Sequence, residues 1–196
     1  MLKMKEFFKD LSSKIQKAVQ ADIKNILQEV GEEKIYAVAL VTDSDCITLY
    51  LALNTDEYMK EKEERYVQMF KNHLTEEDIK KIKDGSKSFT KWIPDEWGYS
   101  DGKNSELNKI SKLLYEKEES DSEEYAKHID LFLEAVTSAL KQLIEEKTFG
   151  ERSEEIMYFI SMSDDERAEG IENNSARLLN SENLYEKFLK RKELLG

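Results

Sequence analysis

Apolar residues recur every three to four positions near the start of the chain: Phe8, Leu11, Ile15, Ala18, Val19, Ile23, Ile26, Leu27 and Val30, with Lys, Asp, Gln and Asn between them. That spacing predicts a long amphipathic helix. Gly31 is placed to end it, since glycine accepts the left-handed conformation common just past a helix. The period then changes. Ile35 to Thr42 and Cys46 to Leu53 are apolar, β-rich runs on either side of Asp43-Ser44-Asp45, which predicts a hairpin with a turn whose side chains bond their own backbone. Both runs are apolar at nearly every position, so the hairpin is expected in the middle of a sheet and covered, at least in part, on both faces.

Further along, Asn54 and Glu57 have the spacing of a helix start, and a charged helix is expected from Thr55 to about Asn72. Thr75-Glu76-Glu77-Asp78 opens a shorter helix ending near Gly85. Ser88 to Ile93 is read as a third strand, followed by a loop at Ser100-Asp101-Gly102-Lys103-Asn104 and a helix from about Ser105 to Lys117. The acidic, serine-rich stretch 116–124 is expected to be a mobile loop. Tyr125 to Lys147 repeats the helical period, with Ile129, Phe132, Leu133, Val136, Leu140, Leu143 and Ile144 in register. Ile156 to Met162 is a fourth strand. Ser163 to Glu166 has capping-box spacing, and Asn180-Ser181 introduces a last helix. One hairpin and no regular strand–helix alternation imply an α+β domain across residues 1–196, with a mainly antiparallel sheet of about four strands packed with helices.

Charge narrows the candidate functions. The 196 residues carry 30 Lys and Arg against 42 Asp and Glu, a net charge of -12. Such a field repels phosphate backbones and anionic membrane surfaces and draws in a basic protein partner. The expectation is therefore no nucleic acid and no membrane, with the chain a monomer or a homodimer. The single cysteine, Cys46, cannot form an internal disulfide or a cysteine-based zinc site. With no signal-peptide pattern and no apolar run long enough to span a bilayer, the cytoplasm is the expected location.

The usual catalytic signatures are missing. There is no glycine-rich phosphate loop, no Gly-x-Ser-x-Gly elbow and no His-Glu-x-x-His helix. His73 and His128 lie on separate helical segments, and Cys46 sits in an apolar run where it serves as a small hydrophobe. Asp43 with Asp45, and Asp164-Asp165-Glu166, could in principle offer oxygen ligands. Tight-turn and helix-dipole roles account for them better, and neither a metal nor another cofactor is expected.

One stretch stands apart: Lys91-Trp92-Ile93-Pro94-Asp95-Glu96-Trp97-Gly98-Tyr99 contains both tryptophans and the only proline. Pro94 must end any strand there. The indoles offer large apolar area and one N–H each, for packing or for contact with a partner. A carboxylate held against an indole would have a raised pKa, as a general acid requires. Trp92, Asp95, Glu96, Trp97 and Tyr99 are the candidate binding residues, and no catalytic set can be assembled around them.

At this stretch the chain resembles a known bacterial family, domain of unknown function 4303. The resemblance runs through Ile35 to Leu40, Asn54-Thr55, Lys91 to Trp97, Ile160 to Asp164, and Leu179-Asn180. It implies a cytoplasmic bacterial protein and supplies no activity or catalytic residue. Small, acidic intracellular families of this type often look like immunity proteins that neutralise a toxin. A non-enzymatic binding protein is thus the leading expectation. The alternatives are an enzyme with an unfamiliar carboxylate–aromatic site and a homodimeric scaffold.

Overall fold

The computed structural model describes residues 2–116 and 122–194. Helix α1 (Leu2–Val30) is the long N-terminal helix that the period predicts. Phe8, Leu11, Ile15, Val19, Ile23, Ile26 and Val30 are all buried along one stripe. Full burial of each such side chain stabilises by about 1.5–3 kcal/mol. The helix ends at Gly31, whose φ is 60° and whose N–H donates to Leu27 O at 3.1 Å.

Strands β1 (Ile35–Thr42) and β2 (Tyr50–Thr55) form the expected hairpin, paired from Val41↔Tyr50 to Ile35↔Thr55. The second strand begins later than its apolar run suggests. Asp43 winds the connection: its Oδ1 accepts from Ile47 N at 2.9 Å and its Oδ2 from Thr48 Oγ1 at 2.9 Å. Cys46 takes a left-handed φ of 57° there, in a loop and not in a strand. It is nevertheless fully buried, and burial pushes its thiol up to about 12. It is the small core hydrophobe expected.

Helix α2 (Asp56–Phe70) is capped by Thr55, whose Oγ1 accepts from Tyr58 N at 3.1 Å, one residue after the expected Asn54. Helix α3 (Glu76–Asp84) has the full capping box on Thr75 and Asp78 and stops at Gly85. The predicted third strand, Ser88 to Ile93, is instead a turn in which Ile93 N donates to Thr90 O. The third strand is β3 (Tyr99–Ser100), two residues paired with Ala52 and Leu53. Two residues are too few to show alternation, so no sequence pattern marks them.

Helices α4 (Glu106–Tyr115) and α5 (Ser122–Glu145) follow. Of the stretch expected to be a mobile loop, Glu116 caps α4 and Ser122 opens α5, while 117–121 lie outside the described residues. Strand β4 (Met157–Met162) is buried at every position. Helix α6 (Ala168–Leu179) starts after Asp164, whose φ of 54° breaks the expected capping box. Helix α7 (Glu182–Leu189) comes after Ser181 as predicted.

The fold is α+β, and the four-stranded sheet is mixed, in the order β3-β2-β1-β4. β1 pairs antiparallel with β2, and β2 with β3, but β4 runs parallel to β1. The expected four strands and the antiparallel β1–β2 pairing are thus present, and the parallel β1–β4 pairing makes the sheet mixed where a mainly antiparallel one was expected. After β3 the chain crosses back through α4 and α5, and such long crossovers are what parallel pairing requires.

One face of the sheet, with Val38, Leu40, Leu51, Leu53, Tyr158 and Ile160, packs on α1, α4 and α5. The other face presents Ala37, Ala39, Val41, Ala52 and Phe159 to Trp97, Ala176 and Phe188. Side chains bond the backbone on both flanks of the sheet. Along β4, Ser175 Oγ accepts from Ile160 N at 2.9 Å, and Asn180 pairs with both backbone groups of Tyr158 at 2.8 and 2.7 Å. Along β2, Leu51 N donates to Asp101 Oδ1 at 2.5 Å and Leu49 N to Ser111 Oγ at 2.9 Å. Along β4, side chains thus take bonds that an added strand would need.

Candidate functional site

The tryptophan stretch lies across the alanine-rich face at the β1 entry. Pro94–Glu96 make one 3-10 turn, closed by Trp97 N donating to Pro94 O. Trp97 is buried and meets Phe159 edge-on at 5.7 Å. Trp92 meets Phe188 at 5.3 Å and Tyr36 at 5.8 Å, both near perpendicular. The Lys91 carbonyl ties these rings together, accepting from Tyr36 Oη at 2.7 Å and from Trp97 Nε1 at 3.1 Å. Tyr36 Oη in turn accepts from Asn54 Nδ2 at 2.9 Å. Burial pushes the Tyr36 phenol well above its ordinary value. The Lys91 ammonium lies over the Tyr36 and Trp92 rings, and burial lowers its pKa.

Gly98 is required by space. A Cβ there would stand 2.6 Å from Tyr58 Cγ, closer than any side chain permits. Its N–H points to Asn54 Oδ1, and the next residue, Tyr99, enters β3. Tyr99 Oη donates to Glu33 Oε2 at 2.8 Å, an oxygen that also accepts from Thr55 Oγ1 at 2.5 Å. Burial, together with the Glu33 bond, pushes the Tyr99 phenol up to about 12.

The two adjacent carboxylates diverge. Asp95 accepts from Tyr50 Oη, and burial and that bond raise the Tyr50 phenol. Glu96 pairs with Lys62 of α2 at 2.5 Å, and Lys62 also donates to the Glu96 carbonyl. Both acids are exposed, as is Ile93. The structure therefore brings Trp92 and Trp97 into one aromatic assembly with Tyr36, sets Tyr99 apart against Tyr58 and the helix-covered core, and leaves Asp95, Glu96 and Ile93 on the outer side of the stretch.

Sequence reasoning missed several members: Glu33, Tyr36, Asn54, Lys62 and Glu63. The available signal was Asn54, a polar residue ending an apolar strand that is 1% exposed. Glu63 of α2 looks like one of many helix charges. It is 6% exposed, and its Oε1 accepts from Ser88 Oγ, Phe89 N, Thr90 N and Thr90 Oγ1 at 2.6–3.1 Å, which holds the turn leading into Trp92.

The two acidic turns meet at the opposite end, because β1 and β4 are parallel. Donors of the fold occupy three of their carboxylates, Asp43, Asp45 and Asp165. Arg167 pairs with Asp165 and donates to Ser44 O at 3.1 Å, and Tyr125 Oη donates to Asp45 Oδ1 at 2.7 Å. The Arg167 guanidinium holds the Asp165 carboxyl down at about 2. Among the described residues no group of three or more His, Cys, Asp and Glu could hold a metal ion. Of the histidines, His73 lies exposed just past α2, and His128 is buried against Phe8 at 5.0 Å. No helix of the described residues is long and apolar enough to cross a membrane.

The family described as domain of unknown function (DUF4303) matches residues 15–181, which take in the sheet, the side-chain bonds on its flanks and the tryptophan stretch. The chain belongs to that family. No curated protein and no solved structure matches it.

Proposed function

We propose that this DUF4303 member is a non-enzymatic binding protein for a basic protein partner, of the immunity type that neutralises a toxin in a bacterial cytoplasm. The observation that carries this reading is the outer side of the tryptophan stretch. Ile93, Asp95 and Glu96 stand in solvent on a segment locked from beneath by Trp92, Trp97 and Gly98, in a chain of net charge -12. A rigid acidic–apolar tip loses little conformational entropy on binding, and the overall field speeds the approach of a cation-rich surface.

The enzyme alternative needs a carboxylate whose charge is disfavoured by an apolar wall. Asp95 instead takes the Tyr50 hydroxyl and Glu96 takes Lys62, each in contact with solvent. That arrangement favours recognition over proton transfer.

The test is capture from a lysate of the native host, at low and at high salt. A partner retained at low salt, released at high salt, and weakened by Asp95→Lys with Glu96→Lys is the expected result. Retention of no partner at low salt, or retention indifferent to the double reversal, overturns the reading.

A further inference from the structure

The sheet ends at β4, and beside that edge α5 and α6 leave a groove of about 500 Å³. Leu133 of α5, Ile171 and Leu178 of α6 and Ile160 of β4 line it. Ser175 Oγ already takes the Ile160 N–H, and Asn180 takes both backbone groups of Tyr158. Those bonds disfavour an added strand and leave side-chain packing as the way to fill the groove. Leu178 stands in it 61% exposed, on a helix whose other apolar residues are at least partly buried. The patch therefore holds both a hollow and an exposed leucine that would gain by being covered.

The charges indicate what covers it. Glu134 and Lys141 are the two charged residues lining the groove, and both are exposed. Among the described residues neither has an ion-pair partner. They lie two turns apart on α5, about 10 Å along its axis, too far to pair with each other. Thr137 and Ser138 stand midway between them, small enough to let another helix approach. A two-fold axis passing between Thr137 and Ser138, perpendicular to α5, sets the helix antiparallel to its copy. It brings each Glu134 to the Lys141 of the other copy. A basic partner would meet one like charge here for each opposite one, whereas a second copy finds both charges answered.

We infer that this groove is a self-association surface, on which two copies meet about that axis. Each Leu178 enters the other copy's groove, and two Glu134–Lys141 pairs form across the contact. Ile93, Asp95 and Glu96 do not line the groove, and Asp95 is bonded to Tyr50 of β2, two strands away from β4. The dimer thus carries two acidic tips, both uncovered.

The experiment is sedimentation velocity of the full chain over about a hundredfold range of concentration. The wild type should shift from monomer towards dimer, and Leu178→Glu should weaken the association about tenfold or more. Glu134→Lys leaves two cations in the groove and Lys141→Glu leaves two acids, so neither variant should self-associate. Mixed in equal amounts, they should form a heterodimer in which both pairs are restored. All three positions are exposed, and circular dichroism confirms that each variant is folded.

A wild type that is monomeric at every concentration overturns the inference, as does a dimer indifferent to Leu178→Glu. A mixture that fails to associate overturns the two-fold arrangement. A monomer that holds a different protein in the groove, released by Leu178→Glu, overturns it in favour of a heterologous contact. None of these outcomes touches the basic-partner reading, which is tested at Asp95 and Glu96.

Discussion

Beneath α1, α4 and α5 the sheet presents Val38, Leu40, Leu51 and Leu53, and the helices meet them with aliphatic side chains spaced at the helical period. On the other face the same strands present Ala37, Ala39 and Ala52, and the space left by those methyl groups is filled by Trp97 and Phe188, with Phe159 of β4 packed between them. The first face is covered by long regular elements. The second is covered by an irregular segment, by α7 and by Ala176 of α6, and every exposed candidate residue belongs to the irregular segment. Regular packing tolerates exchange of one aliphatic residue for another, whereas rings over alanines leave few alternative fits.

Both tryptophans report on the second face only, which makes the contrast measurable. Phe159→Ala removes the ring between Trp97 and Phe188 and should cost about 3–5 kcal/mol. Tryptophan emission of the folded state should shift as well. Ile15→Ala, on the first face, should cost about 2–5 kcal/mol and leave folded-state emission unchanged. Urea denaturation followed by circular dichroism and fluorescence separates the two. Unchanged emission in Phe159→Ala would break the contrast.

Gly98→Ala forces a methyl group into the Tyr58 ring and should cost about 1–3 kcal/mol. Combining it with Tyr58→Ala should cost less than the sum of the two single changes. Strict additivity would mean that the close approach is not the cause.

Removing one hydroxyl, in Tyr36→Phe, takes a donor from the Lys91 carbonyl and an acceptor from Asn54. The expected loss is about 1–2 kcal/mol in thermal or urea unfolding. A neutral result would place the stability of the stretch in its rings alone.

The smallest effect concerns pH. The Tyr99 phenol is raised from 10.0 to about 12, so the folded state holds its proton more tightly than the unfolded chain. The resulting stability is fully present below pH 10 and is lost as the pH rises towards about 12. Tyr99→Phe should flatten that part of the stability profile. An equally steep decline in the variant would assign it to other groups.

How legible the fold was depended on the distance between partners. α1, β1, α3, β4 and α7 follow from local periods and caps, with Thr75 and Gly85 marking α3 at both ends. The second strand was misplaced because Cys46 to Leu49 are as apolar as a strand, yet Asp43 folds them into a loop. At the candidate site, the stretch stood out by its residue types, but its contacts did not. Tyr99 finds Glu33 from 66 positions away and Tyr36 finds Lys91 from 55, separations at which no local pattern survives.

By itself the sequence determined which residues are apolar and with what period, hence where most helices and strands lie, and a net charge of -12. Those properties are local or summed, so they need no neighbours. Only the tertiary structure decided that β4 runs parallel to β1, and that the two acidic turns share one end of the sheet with Arg167 between them. It also decided which carboxylate is buried: Glu63, on a heavily charged helix, and not the conspicuous Asp95 or Glu96. The environment of a polar group depends on what distant chain packs over it, and the 88–90 turn closes over Glu63 alone among these three acids.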